Sequence, residues 1–172
     1  MNILNLTKNE EVILNYLADS PVQSFFGMEI AKKNKLSAGG AHNALVKLKE
    51  KNFVSTEERG RMKFYKINSE NILVKQYRAA YLLNKLSRFI NDAKKISIEA
   101  ILFGSGARGE YGKDSDIDIF ILTNSKEEAL ELARAYQKKY AIKAIVKTPN
   151  EWQELEIKEP EFYGEIKRGI KL

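Results

Sequence analysis

The sequence predicts an α+β protein in three successive parts: short helices with a β-hairpin, a linker helix, and a small α/β part built on a mixed sheet. Before residue 50, apolar residues recur at helical spacing, and around residue 60 they alternate as in strands. Residues 70–93 keep helical spacing without proline or glycine. After residue 97, apolar strand-like runs flank one helical segment. We therefore place the parts at residues 1–69, 70–96 and 97–172.

Composition excludes several classes of function. The chain has 172 residues, 44% hydrophobic and 30% charged, which is typical of folded globular proteins. It has no cysteine and one histidine, which excludes disulfides and thiolate metal sites and disfavours a zinc site or a Ser/His triad. No apolar run approaches the ~20 residues of a membrane span, and the N-terminus lacks signal-peptide features. We expect a cytoplasmic protein with no membrane partner.

The charges are distributed unevenly along the chain. Residues 1–97 contain 17 basic and 9 acidic residues, a net charge of +8, whereas residues 98–172 contain 12 and 14, a net charge of −2. This asymmetry indicates two modules with different partners. The basic module is the candidate for binding a polyanion such as nucleic acid.

The first part begins with three helices. Thr7 and Glu10 have the spacing of a capping box for the first helix, and "GMEIAKKN" predicts a short second one after the turn "DSPVQSF". Ser37 can cap a third helix over residues 37–50, with an apolar stripe on one face. Residues 53–68 then alternate as two strands around a turn at Glu58–Gly60, with basic residues at the tip.

Three helices followed by a basic hairpin resemble the winged helix-turn-helix of MarR- and ArsR-type regulators, over roughly residues 7–68. The resemblance implies that the third helix enters the major groove of double-stranded DNA and that the hairpin reaches phosphates or the minor groove. The implied DNA-binding residues are Ser37, Gly39, Gly40, His42, Asn43, Lys47, Arg59, Arg61 and Lys63. The alternative is that this fold mediates only protein contacts and that its lysines form a solvated face.

The linker helix carries two apolar stripes, which is more than one partner surface requires. One stripe contains Ala79, Leu82, Leu86, Phe89 and Ala93, and the other contains Val74, Tyr77 and Tyr81. We expect packing against the third part and a homodimer, since winged-helix proteins often pair to match two half-sites. Burial in the core of one chain is the alternative.

The segment "ILFGSGARGEYGKDSDIDIFIL", residues 101–122, contains two motifs that predict different chemistry. Gly104, Gly106 and Gly109 match the dinucleotide pattern G-x-G-x-x-G. However, only 13 residues separate the two apolar strands, too few for a parallel crossover with a full helix, so a dinucleotide site is excluded. A calcium loop beginning at Asp114 is also excluded, because its sixth position is Ile119 and its twelfth is Ser125.

What remains is a strand, a Gly-Ser turn and a second strand that carries Asp-x-Asp. Residues i and i+2 of a strand point to the same face, so we expect Asp116 and Asp118 to project together. Two neighbouring carboxylates repel each other unless a cation lies between them, which favours Mg²⁺. The backbone after Gly104–Ser105 can approach phosphate oxygens closely. The sequence therefore predicts a site for a nucleoside triphosphate with Mg²⁺.

Gly104–Ser105, a spacer of ten residues and Asp116-Ile117-Asp118 resemble the minimal nucleotidyltransferases of the DNA polymerase β-like superfamily. The resemblance implies that Gly104, Ser105 and Arg108 bind the nucleotide, ATP above all, and that Asp116 and Asp118 are the catalytic and metal-binding residues. It also implies two-metal, in-line attack of a hydroxyl on the α-phosphate with release of pyrophosphate. Some members are antitoxins that adenylylate a partner toxin, so a helical toxin-like protein is an expected partner.

The rest of this part completes the expected fold, with one departure. Ser125 and Glu128 predict a capped helix, "AIKAIV" a third strand, Thr148 and Glu151 a capped short helix, and "EFYGEIKRGIKL" a final helix. The family places a third carboxylate on the third strand, but the alignment puts Lys143 there. Two hypotheses stay open: a DNA-binding regulator that binds NTP–Mg²⁺ without turnover, or an active nucleotidyltransferase with two carboxylates.

Overall fold

The computed structural model describes residues 4–172, which form two compact units divided after Arg78. The division falls inside a helix, so residues 70–96 contribute to both units rather than forming a separate part. In the described residues, no helix combines the length and apolar character needed to span a bilayer.

The first unit contains three helices and a three-stranded antiparallel sheet. Its elements are α1 (Lys8–Ala18), β1 (Phe25–Phe26), α2 (Gly27–Lys33), α3 (Ala38–Glu50), β2 (Val54–Arg59), β3 (Met62–Ile67) and the start of α4 (Ile72–Lys85). The strand order is β1-β3-β2. Three helices followed by a hairpin that pairs with a short strand between α1 and α2 form a winged helix, as predicted.

The predicted caps hold the helices of this unit. Thr7 Oγ1 accepts the backbone N–H of Glu10, and Ser37 Oγ accepts that of Gly40. The hairpin turn lies at Gly60–Arg61, slightly later than predicted, because Arg59 still pairs with Met62 and Gly60 supplies the left-handed conformation, with φ +62°. Phe25, predicted as the last residue of a turn, instead pairs with β3 together with Phe26.

A buried ion pair joins the start of α1 to the end of α3. Glu10 is 1% exposed, and its carboxylate accepts a hydrogen bond of 2.7 Å from Lys51 Nζ. Burial raises the pKa of the Glu10 carboxyl, but hydrogen bonds from Lys51 and Thr7 outweigh burial and hold this pKa below its usual value. The spacing of residues does not indicate this contact, because Glu10 has the position of an ordinary capping-box glutamate.

The second unit is a four-stranded mixed sheet covered by helices. Its elements are the end of α4, then α5 (Ser87–Ile96), β4 (Glu99–Leu102), α6 (Gly104–Arg108), β5 (Ile117–Leu122), α7 (Lys126–Tyr140), β6 (Ile142–Lys147), α8 (Pro149–Lys158), α9 (Pro160–Lys167) and β7 (Ile170–Lys171). The order is β6-β5-β4-β7, with β5 and β6 parallel and the other pairs antiparallel. The mixed sheet and its first three strands confirm the prediction.

The predicted single linker helix is wrong in one respect. It divides at Leu86 into α4 and α5, although hydrogen bonds from Leu86 N to Leu82 O and from Ile90 N to Leu86 O continue across the junction. The backbone departs from helical geometry there, with φ −85° and ψ 1° at Leu86. Its predicted apolar stripe from Ala79 to Ala93 is buried.

Three other details differ from the prediction. Ser125 precedes α7 but makes no side-chain cap; its N–H donates to Thr123 Oγ1, so the capping box with Glu128 does not form. Gly104 and Ser105, predicted as a turn before a short connector, are the first residues of the five-residue helix α6. The final segment is a helix followed by a strand, because Gly169 ends α9 and lets β7 pair with β4.

Candidate functional site: a glycine-serine bend beside paired carboxylates

The Gly-Ser bend and the second aspartate are in direct contact. Gly104 follows β4 with φ +64°, a conformation that residues with a Cβ rarely adopt. A Cβ at this position would lie 2.7 Å from Asp118 Oδ2. The backbone N–H of Phe103, one residue earlier, donates to Asp118 O at 3.1 Å. Gly104 is therefore required both by its backbone conformation and by the carboxylate packed against it.

Asp118 and Asp116 lie at the start of β5, next to this bend. Asp118 is half-buried on the strand, whereas Asp116 is exposed and immediately precedes it. Asp116 is close enough for its charge to raise the pKa of Asp118. Asp114, two residues earlier, is exposed in the connector.

Lys143 is the neighbour of Asp118 in the sheet. β5 and β6 are parallel, and the register pairs Asp118 with Lys143. The position that the family resemblance assigns to a third carboxylate therefore lies beside Asp118 but carries an ammonium group. A lysine there attracts the same carboxylate that a metal ion would need.

The Asp118 carboxyl is electrostatically perturbed. Burial raises the pKa of Asp118 above its usual value, Lys143 lowers it, Asp116 and Glu165 raise it, and Arg108 lowers it. The net direction of the pKa is upward, so ionising the Asp118 carboxyl costs more than it does in water. A bound cation would relieve this cost.

Arg108 ends α6 and is held by two carboxylates. Its Nε donates to Glu110 Oε2 at 3.0 Å, and its Nη1 lies 3.7 Å from Glu165 Oε1. Ser105, also on α6, is half-buried, and its carbonyl accepts the backbone N–H of Glu110. The predicted nucleotide residues Gly104, Ser105 and Arg108 thus lie on one short helix next to Asp118.

Sequence reasoning missed Glu165 at this site. It lies on α9, far along the chain, and no motif marks it. The only signal was the segment "EFYGEIKRGIKL", which predicted a helix without indicating which side would face Arg108. Its position depends on the return of α9 and β7 to the edge of the sheet.

The two aspartates fit a magnesium ion that is bound together with a substrate. Among residues 4–172, no group of three or more His, Cys, Asp or Glu side chains is arranged to hold a metal ion without other ligands. Mg²⁺ often uses one or two protein carboxylates and completes its coordination with phosphate oxygens and water. Asp116 and Asp118 supply that number of protein ligands.

The predicted DNA-binding residues of α3 are mostly exposed. Gly39, His42, Asn43 and Lys47 lie on its solvent face, whereas Gly40 is half-buried. A Cβ on Gly40 would lie 2.9 Å from Ser37 Oγ and 3.1 Å from Asn9 Nδ2. Gly40 therefore allows the close packing of the start of α3 against α1, in addition to its place on the partly exposed face predicted for it.

Two of the three hairpin residues predicted to bind DNA, Arg59 and Lys63, pair with neighbouring carboxylates. Arg59 makes hydrogen bonds of 3.0 and 2.8 Å with Glu57 and lies over the Phe64 ring, and Lys63 pairs with Glu58 at 3.6 Å. Arg61 at the tip makes no ion pair with any residue in the described range. Arg61 is therefore the hairpin cation most available to a phosphate.

A groove of about 350 Å³ at the start of α1 adds residues that the sequence did not indicate. Lys8 and Asn9 line it together with Asn43 and Lys47 of α3. Two lysines and two amides at one groove are suited to phosphate contacts. Lys8 and Asn9 precede α3 by about 30 residues, so only the packing of α1 on α3 brings them to this groove.

Three comparisons with known proteins bear on this site. The family model described as "Nucleotidyltransferase domain" matches residues 83–169. A curated Methanocaldococcus jannaschii protein, provisionally named a protein adenylyltransferase, is 42% identical over 48 residues, covering 24% of this chain and 48% of the relative. The chain thus spans about half the length of the curated relative that it matches.

The similar chains among solved structures include two bacterial proteins. Lactococcus lactis ZitR in complex with DNA is 24% identical, with a TM-score of 0.41, covering 56% of this chain and 66% of ZitR. Staphylococcus aureus MepR is 16% identical, with a TM-score of 0.43, covering 55% of this chain and 69% of MepR. Because these TM-scores are low, the winged-helix assignment depends on the element order and sheet topology of the first unit.

Proposed function

Because the chain belongs to the nucleotidyltransferase domain family, we propose that its second unit binds a nucleoside triphosphate together with Mg²⁺. Gly104, Ser105 and Arg108 contact the phosphates, and Asp116 and Asp118 hold the metal ion. The contact between Gly104 and Asp118 carries this proposal. It joins the backbone that approaches phosphate to the carboxylate that holds the cation, so one metal–phosphate group can touch both.

Each residue has a definite physical task in this site. The missing Cβ of Gly104 leaves room for the Asp118 carboxylate against the α6 backbone, so a phosphate bound at this backbone lies next to that carboxylate. Arg108 supplies a planar cation that can bind phosphate oxygens in a bidentate manner. When bound, Mg²⁺ would neutralise charge on both the carboxylates and the triphosphate.

Calorimetric titration with ATP, CTP, GTP and UTP, with and without Mg²⁺, tests this function. We expect binding that requires Mg²⁺ and is lost in the double variant Asp116→Ala/Asp118→Ala. Asp114→Ala is the matched control, because it removes a nearby exposed carboxylate outside the site. Binding that persists in the double variant, or that Asp114→Ala abolishes equally, would refute the proposed site.

We also propose that the first unit binds double-stranded DNA, as a homodimer on paired half-sites. The exposed face of α3 carries His42, Asn43 and Lys47, and the hairpin presents Arg61. The net charge of +8 over residues 1–97 supports attraction to a polyanion. Fluorescence anisotropy with duplex DNA over a range of salt concentrations tests it; binding that does not weaken with salt would contradict it.

Transfer of a nucleotide to a hydroxyl is the second candidate function. It is favoured by the local identity to the curated relative whose name refers to protein adenylylation. In this function the acceptor oxygen attacks the α-phosphorus, the bond to the bridging β-phosphate oxygen breaks, and pyrophosphate leaves. A helical toxin-like protein is the first acceptor to test. Label transfer from ATP that survives Asp116→Ala/Asp118→Ala would exclude this site.

A further inference from the structure

The packing of α9 and β7 fixes the position of Glu165 beside α6. The next residue, Ile166, is fully buried in the core cluster that contains Phe103, and Phe162 packs edge-on against Phe103 at 6.0 Å between ring centroids. After α9, β7 pairs with β4, with Ile170 opposite Leu102. Glu165 and the Gly104 bend are thus attached to the same packed elements.

The close packing of Gly169 reinforces this attachment. A Cβ on Gly169 would lie 2.5 Å from both Ile101 Cγ2 and Leu102 O. The end of α9 therefore lies directly on β4, the strand that leads into Gly104. This packing fixes the Glu165 backbone relative to α6, so Glu165 can move mainly by rotation of its side chain.

Arg108 is held unequally by its two carboxylate partners. Its Nε makes a hydrogen bond of 3.0 Å with Glu110, two residues away on the same segment. Its Nη1 is 3.7 Å from Glu165, which is an ion pair but too long for a hydrogen bond. The interaction of Nη1 with Glu165 is therefore the weaker of the two, and Nη1 is the atom that can change its partner.

Glu165 also adds a negative charge where a polyphosphate would bind. Asp116 and Asp118 already contribute two carboxylates, and Glu165 is near enough to influence Asp118 electrostatically. Arg108 contacts Glu165 and acts on Asp118 with the opposite sign. An incoming phosphate would compete with Glu165 for this arginine.

We propose that Glu165 is a positioning residue. Its carboxylate holds the Nη1 end of the Arg108 guanidinium until a nucleotide phosphate replaces the carboxylate as the partner of Nη1. This inference rests on the proposed nucleotide binding. Glu110 keeps its hydrogen bond to Nε, so the guanidinium stays on α6 while Nη1 changes partner. Glu165 and Arg168 line the same cavity of about 680 Å³, so the Arg168 guanidinium can pair with the Glu165 carboxylate once it is released.

A double-mutant cycle on ATP affinity in the presence of Mg²⁺ tests the exchange. We expect Glu165→Gln to tighten ATP binding about two- to fivefold, the range for loss of one exposed ion pair that competes with the ligand. In the Arg108→Ala background, Glu165→Gln should change affinity by less than about twofold, because it acts through Arg108. Glu161→Gln, which changes a glutamate of the same helix and cavity, should leave ATP affinity unchanged.

A second measurement does not depend on nucleotide. In ¹⁵N NMR spectra of the unliganded full chain, Glu165→Gln should shift the Arg108 Nε–Hε signal, and adding ATP with Mg²⁺ to the wild type should also shift it. An unchanged Arg108 signal in Glu165→Gln overturns the inference, as does a full effect of Glu165→Gln in the Arg108→Ala background. If the signal moves in Glu165→Gln but neither protein binds ATP, the proposed nucleotide binding fails, and the phosphate exchange fails with it.

Discussion

Asp118 and Lys143 are directly paired across the parallel strands β5 and β6, so a carboxylate of the Asp-x-Asp motif has an ammonium group as its sheet neighbour. The same carboxylate touches Gly104 from the other direction. The glycine brings the phosphate-binding backbone close to Asp118, while the lysine competes with a cation for it. In the proposed site, these two neighbours of Asp118 act in opposite directions on the binding of metal and nucleotide.

Replacing Lys143 tests that competition. We expect Lys143→Met to raise the pKa of Asp118 further, because the ammonium now lowers it, and to strengthen Mg²⁺ binding by up to about fivefold, as expected if removal of one nearby charge is worth about 0.2–1 kcal/mol. Carboxyl ¹³C NMR titration of the metal-free protein and a Mg²⁺ titration measure the two effects. Lys147→Met, at the other end of β6, is the control and should change neither.

Gly104→Ala tests the contact with Asp118. A Cβ would displace the Asp118 carboxylate, so we expect nucleotide affinity to fall at least tenfold. The left-handed conformation should also cost about 1–2 kcal/mol of stability, measured by chemical denaturation. Gly112→Ala is the control, since its new Cβ would meet Ser115 Oγ at an ordinary 3.5 Å. Unchanged ATP binding in Gly104→Ala would contradict the proposed arrangement.

The Glu10–Lys51 pair predicts a pH-dependent stability. Lys51→Met leaves a buried carboxylate with only Thr7 as hydrogen-bond partner, so we expect a loss of about 1–3 kcal/mol at pH 7. The folded state lowers the pKa of Glu10, so its contribution is present above the usual pKa of 4.5 and is lost as pH falls through the lower folded value. Urea denaturation from pH 7 to pH 3 measures this loss, which should be smaller in Lys51→Met. Lys49→Met, an exposed neighbour, should follow the wild type.

The cap of α8 predicts a second acid-sensitive contact. Hydrogen bonds from Lys126 and Thr148 lower the pKa of Glu151 to about 2, so its stabilising effect should be complete above about pH 4.5 and decline towards pH 2. Thermal unfolding of Glu151→Gln should lack this part of the pH dependence. Glu154→Gln on the same helix lacks the cap contacts and should retain it. Equal pH profiles for the wild type and Glu151→Gln would show that the cap contributes nothing.

The ion pairs of the hairpin predict unequal roles in DNA binding. Arg61→Ala should weaken duplex binding and reduce the salt slope by about one, as expected for one lost phosphate contact. Arg59→Ala should have a smaller effect, since Arg59 already bonds to Glu57. Anisotropy titrations at several salt concentrations compare them, with Lys49→Ala as an equal-charge control. A larger loss in Arg59→Ala than in Arg61→Ala would contradict this order.

Elements that depend on local pattern could be predicted from the sequence. The three helices and the hairpin of the winged helix, the caps at Ser37 and Thr148, the strand Ile117–Leu122 and the motif of Gly104–Ser105 and Asp116–Asp118 followed from spacing, because periodicity and capping act over a few neighbouring residues. The two-residue strand β1 did not, since its pairing with β3 is a contact across the fold. The same local logic failed at Ser125, where Thr123 takes the backbone N–H, and at Leu86, where the helix divides.

Contacts between residues that are far apart in the sequence became evident only in the tertiary structure. It paired Lys51 with buried Glu10, brought Lys8 and Asn9 to the groove of α3, and returned Glu165 to Arg108 through α9 and β7. It also showed that Gly40 packs closely against Ser37 and Asn9. Such contacts depend on how helices and strands pack, and nothing in the spacing of residues along one segment specifies the partner that another segment will bring.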